Sequence, residues 1–165
     1  MSLSAFIRGH HEDIIREFAL FAKTLMPPRH EMTETELRDH AEEILTAIVH
    51  DMSMAQSPTE ESLKSRGLGA AKTMEPSGTL HADDRIRHGF PFRAVLAEFR
   101  ALRATVLRLY ENSGASDLAE VRRFNEAIDE AMTESMDRFA VQTDLVRDQF
   151  VGVLSHDLRT PLSEP

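Results

Sequence analysis

The chain contains no cysteine. Disulfides, thiolate-bound zinc, iron–sulfur clusters and thiol chemistry are therefore excluded. Aromatic residues are sparse, at 6%, and no segment alternates apolar with polar residues as a half-buried strand does. The expectation is a chain without β-structure. No apolar run approaches the ~20 residues of a membrane-spanning helix. The N-terminus lacks the ordered charge, apolar core and cleavage site of a secretory signal. Acidic residues outnumber basic ones and leave a formal net charge of -9. That surplus argues against nucleic acid and against anionic membrane as partners. Together these absences lead to the expectation of a cytoplasmic protein.

What is present is helical periodicity, nearly throughout. Ile7, Ile14, Phe18, Ala22 and Leu25 recur at helical intervals and predict one amphipathic helix, stopped by Pro27-Pro28. Thr33 followed by Glu36 is a capping-box signal for a second helix. That helix places Leu37, Ala41, Ile44, Leu45, Ile48 and Met52 on one face. Residues 53–78 are broken by Ser57-Pro58, Gly67, Gly69, Pro76 and Gly78, with room for a short helix around Thr59–Ser65. Another short helix is predicted over Leu80–Arg87, ending at Gly89. Pro91 suits a first helical position, ahead of Phe92, Val95, Leu96, Phe99, Leu102, Val106 and Leu109 at helical spacing. Asn112-Ser113-Gly114 ends that helix, and Ser116-Asp117 restarts one with no stop before Pro161. The predicted fold class is all-α.

The last helix changes character along its length. Met132, Met136, Phe139, Thr143, Val146, Phe150 and Val153 recur at alternating intervals of four and three, which is a heptad seam with one polar break. Such a seam predicts a homodimer through the last helix. The alternative is that Met132–Phe139 pack on the chain's own core.

The seam runs into Phe150-Val-Gly-Val-Leu-Ser-His-Asp-Leu-Arg-Thr-Pro-Leu162. This string resembles the phosphoacceptor box of two-component sensor histidine kinases, through Phe150, Leu154, Ser155, His156, Asp157, Leu158, Arg159, Thr160, Pro161 and Leu162. The resemblance implies that His156 takes phosphate from ATP and passes it to the receiver domain of a response regulator. It implies that Asp157 is the acid that orients the imidazole. It implies that Thr160 positions a water for dephosphorylation. A neutral imidazole with a free ring nitrogen is a competent nucleophile for this transfer. In the family a second dimerisation helix and an ATP- and magnesium-binding domain follow the box. The expectation is therefore a front end of a kinase, cut after its acceptor histidine and inactive alone, with no cofactor of its own. Residues 141–165 would be the start of the dimerisation and phosphoacceptor domain.

Upstream, Lys64-Ser65-Arg66-Gly67, His81 with Arg85, His88-Gly89-Phe90, Glu98-Phe99-Arg100-Ala101-Leu102-Arg103 and Arg123–Asp129 resemble the RsbRD-type N-terminal domain. That domain occurs in stressosome RsbR-type proteins and in soluble histidine kinases. The resemblance implies a globin-like helical sensor over residues 1–140, usually without haem. It also leaves an alternative in another class, an assembly module of stressosome type that binds no ligand.

Other polar groups take plainer readings. His81 and His88 are expected as partly exposed helix-end residues, without the apolar setting a haem ligand needs, so no haem is expected. Adjacent helical residues point about 100° apart, so His10-His11 with Glu12-Asp13 is expected as a solvated face and not a metal site. Arg100, Arg103 and Arg108 are expected to pair with acids such as Glu126, Asp129 and Glu130.

Overall fold

Every described element is a helix. The computed structural model describes residues 1–27, 32–54, 57–64, 66 and 75–157; for residues 58, 61, 64, 75–77 and 152–157 it describes the backbone alone. The helices are α1 (Leu3–Gly9), α2 (His11–Thr24), α3 (Glu34–Ser53), α4 (Pro58–Lys64), α5 (Glu75–Arg87), α6 (Phe92–Asn112) and α7 (Leu118–Asp157). The all-α class stands for these residues.

The expected first helix is two helices. The chain breaks at His10 (φ -119°, ψ 19°), whose backbone N–H still reaches the Phe6 carbonyl. Gly9, just before the break, has low helix propensity. Leu3, Phe6 and Ile7 of α1 and Ile14, Ile15 and Phe18 of α2 are all buried. The break therefore leaves the apolar periodicity intact, and periodicity alone does not register it.

α3 begins as its capping box requires. The Glu36 N–H donates to Thr33 Oγ1 (3.2 Å), and the Thr33 N–H donates to Glu36 Oε2 (2.7 Å). Leu37, Ala41, Ile44, Leu45, Ile48 and Met52 are all buried. Full burial of an aliphatic side chain contributes roughly 1.5–3 kcal/mol, so this face outweighs any propensity term. In α6, Pro91 is the residue before the helix and not its first member, with extended backbone at ψ 148°.

α5 is longer than expected. It starts at Glu75, so Pro76 lies in its first turn, where a missing N–H is tolerated. Gly78 lies inside it. A Cβ there would sit 2.7 Å from the Ala131 carbonyl oxygen and 2.9 Å from Glu134 Cβ. Gly78 thus lets α5 approach α7 closely at Ala131 and Glu134. α5 closes at Gly89 (φ 69°), with the Phe90 N–H bonded to the Arg85 carbonyl at 2.9 Å.

α7 is capped by Asp117, whose Oδ1 accepts from the Ala119 and Glu120 N–H groups (3.1 and 3.2 Å). It then runs 40 residues, about 60 Å. Its first half presents Phe124, Ala127, Ile128 and Ala131 to the core. Met132 and Phe139 pack against the edge of the same core. From Val141 to Val151 the helix leaves it, and Val141, Leu145, Val146, Phe150 and Val151 are all at least half exposed.

Candidate functional site

α5 is built inside out. Its outward face carries Leu80, which is exposed, while His81 and Arg85 point into the core at 1% and 0% exposure. His81 is therefore not the partly exposed helix-end residue that its neighbours Asp83 and Asp84 suggested. It sits mid-helix, with its ring 5.2 Å from that of Phe99. Residues four apart share a helix face, and α5 has few apolar side chains with which to bury any other face.

Around these two residues three helices contribute a charged cluster. Arg85 Nε lies 2.9 Å from each carboxylate oxygen of Glu98 on α6. Arg85 Nη1 donates to Asp84 Oδ2 (3.1 Å) and contacts Met32 Sδ (3.2 Å). The guanidinium lies over the Phe90 ring, 5.0 Å from its centroid. His81 Nε2 is 2.9 Å from Glu98 Oε2, an ion-pair distance that is out of line for a straight hydrogen bond. On α3, His40 Nε2 is 3.0 Å from Asp84 Oδ2. Asp84 also faces Arg87 (3.6 Å) and His88 (3.4 Å).

The electrostatics follow from this packing. Burial pushes the Glu98 carboxyl up, but His81 and Arg85 together outweigh it and hold the group below its ordinary value. His40 is pushed down by burial; Asp84 opposes this, while Arg85 and His81 reinforce it. Among the described residues, the Nδ1 atoms of His40 and His81 and the Nη2 of Arg85 have no hydrogen-bond partner. Among the described residues no group of three or more His, Asp or Glu side chains is arranged to hold a metal ion.

The residues singled out for phosphoryl chemistry lie elsewhere. His156 and Asp157 fall in the last turn of α7 as helical backbone. Their side chains, and Thr160 entirely, lie outside the described residues, as does the expected motif at Ser65 and Gly67. The cluster in the core and the end of α7 are thus two separate places on the chain.

The seam divides as well. Met132 and Phe139 serve the core, and Phe139 stacks edge-on with Phe92 (5.6 Å). Val146 and Phe150 face solvent. Clefts of 390 and 300 Å³ flank Phe139 where α7 leaves the core. Of the arginines, Arg103 pairs with Asp129 as expected, whereas Arg108 pairs with Glu17 of α2. His10 is held by its own helix, stacked on Phe6 at 4.0 Å. Among the described residues no helix is long and apolar enough to cross a membrane.

The charged cluster was the feature that sequence reasoning missed. Its one signal was the pairing of His81 and Arg85 at helical spacing on a segment too poor in apolar residues to bury anything else. Comparisons with protein-family models, with curated proteins and with solved structures each returned no match.

Proposed function

We propose that this chain is the sensory front of a soluble cytoplasmic histidine kinase. In this reading a globin-like helical core over residues 1–140 relays a signal along α7 to His156. His156 accepts phosphate from ATP bound with magnesium by a kinase domain and passes it to a response-regulator receiver domain. The observation that supports this reading is α7 itself. Its first half is clamped into the core by Phe124, Ala127, Ile128 and Ala131, and the same unbroken helix carries His156 in its last turn. A rigid helix is a physical route by which a packing change in the core reaches a distant residue.

The chemistry asks little of the chain. The His156 ring nitrogen attacks the γ-phosphate, the bond to the leaving ADP oxygen breaks, and the ring proton passes to Asp157 or water. Asp157 holds the other ring nitrogen and orients the ring. Thr160 positions the water that later removes the phosphate. Pairing of two copies through the exposed apolar side chains Val146 and Phe150 would present His156 of one α7 beside the kinase domain.

The test is phosphorylation with ATP in the presence of the histidine kinase catalytic domain. Label is expected on His156 alone, lost in His156→Gln with the fold retained. Label on another histidine or on serine, with His156 unmodified, overturns the reading. The exposed apolar strip on α7 also favours the second reading, an assembly module of stressosome type. Light scattering separates the two, since a dimer supports the kinase and a larger closed assembly supports the module.

A further inference from the structure

Burying charge is costly, and apolar side chains of similar volume would hold α3, α5 and α6 together at least as well. The cluster in the core therefore calls for an account other than stability. Two carboxylates, Asp84 and Glu98, share the buried Arg85 guanidinium, and Asp84 also faces Arg87 and His88. His81 is enclosed against Glu98. His40 is more exposed than His81. It sits at the rim of the cluster, within reach of solvent, on Asp84.

We propose that the His40–Asp84 contact is a proton-responsive joint between α3 and α5, and that proton uptake at His40 loosens α5 from α3 and, through α5, from α7. On α3, Glu43 Oε2 lies 3.8 Å from His40 Nδ1, and Glu36 lies within electrostatic reach. On α5, Asp84 attracts an imidazolium, while Arg85 and the His81 ring, 6.0 Å away, repel it. Arg87 and His88 compete for the other Asp84 oxygen. On α6, Glu98 is already engaged by Arg85 and His81. One shared carboxylate and the more exposed Glu43 and Glu36 are thus opposed by two cationic neighbours and by burial, and a charged His40 ring gains by moving into water.

The grip on α7 is one residue away. Asp83, next to Asp84, holds Arg138 of α7, with Nη2 to Oδ2 at 3.1 Å. The joint lies wholly in the helical core, and its behaviour does not depend on phosphate at His156.

Two measurements on the full chain test it. NMR titration of the wild-type imidazoles should find His40 protonating below its ordinary value of 6.5. Hydrogen exchange of α5 amides, corrected for intrinsic rates, should quicken between about pH 7.5 and about pH 5.5, and should quicken less in His40→Gln. The wild-type thermal midpoint should fall by roughly 2–4 °C more than that of the variant over the same interval. A His40 ring that titrates at or above its ordinary value overturns the proposal. So does α5 exchange with the same pH dependence in wild type and variant. The titration uses wild-type protein, so a variant that fails to fold leaves the proposal open to refutation.

Discussion

Ser135 on α7 donates a hydrogen bond to the Gly78 carbonyl on α5 at 2.8 Å, in a buried contact. At the same spot Gly78 has no room for a side chain. The hydrogen bond and the missing Cβ are two sides of one close helix crossing.

Gly78→Ala should therefore destabilise the protein. Alanine in place of a helical glycine ordinarily stabilises by roughly 0.5–1 kcal/mol. Here the added carbon would meet backbone at 2.7 Å, and overpacking of this kind costs about 1–3 kcal/mol. Clash outweighs propensity. Urea unfolding should show a lower midpoint, and a raised midpoint would mean that α5 and α7 do not cross this closely.

Arg85→Met should be among the most damaging single changes. It leaves Glu98, at 1% exposure, with His81 as its remaining partner. Breaking a buried ion pair from one side costs about 3–5 kcal/mol. The double change Arg85→Met with Glu98→Met should recover most of that loss, since it removes the stranded charge too. Denaturant unfolding of the two single variants and the double variant closes the cycle. Simple additivity would show that the pair is not coupled.

Acid should unfold the wild type partly through Glu98. Its folded carboxyl lies below the ordinary value of 4.5, because His81 and Arg85 outweigh burial. A depressed carboxylate contributes stability above its unfolded value, and that stability is lost as pH falls through the folded value. The acid limb of stability against pH should thus be shallower in Glu98→Gln than in wild type, whatever the difference between them at neutral pH. Parallel acid limbs would argue against an ionised Glu98.

The α7 strip offers a contrast. Val146 and Phe150 are 64% and 63% exposed, so Val146→Glu and Phe150→Glu should change the unfolding free energy of the single chain by no more than about 0.5 kcal/mol. If the strip joins two copies, the same changes should weaken self-association strongly, because a charge in a seam lacks a partner. Sedimentation velocity checks this, and an unchanged mass distribution would assign the strip to something other than self-pairing.

Much of the helical framework is legible in residue type and spacing alone. The Thr33–Glu36 cap, the six buried apolar residues of α3 and the restart at Asp117 all follow local rules. The break at His10 is not legible, because the apolar periodicity runs unbroken through it. The start of α5 is not legible either, because Pro76 and Gly78 read as breakers. Proline is tolerated in a first turn, and Gly78 is required by a neighbour more than fifty residues away.

By itself the sequence determined the all-α class, the register of apolar faces on α3 and α6, and the unbroken run of α7 toward His156. Each depends on interactions within about four residues, which composition and period record. Only the tertiary structure decided that α5 turns its polar face inward. His40, His81, Arg85 and Glu98 come from three helices, and nothing in the spacing of one helix records the charge on another. Burial of an ion is settled by whether a partner arrives in space, and that is a property of packing.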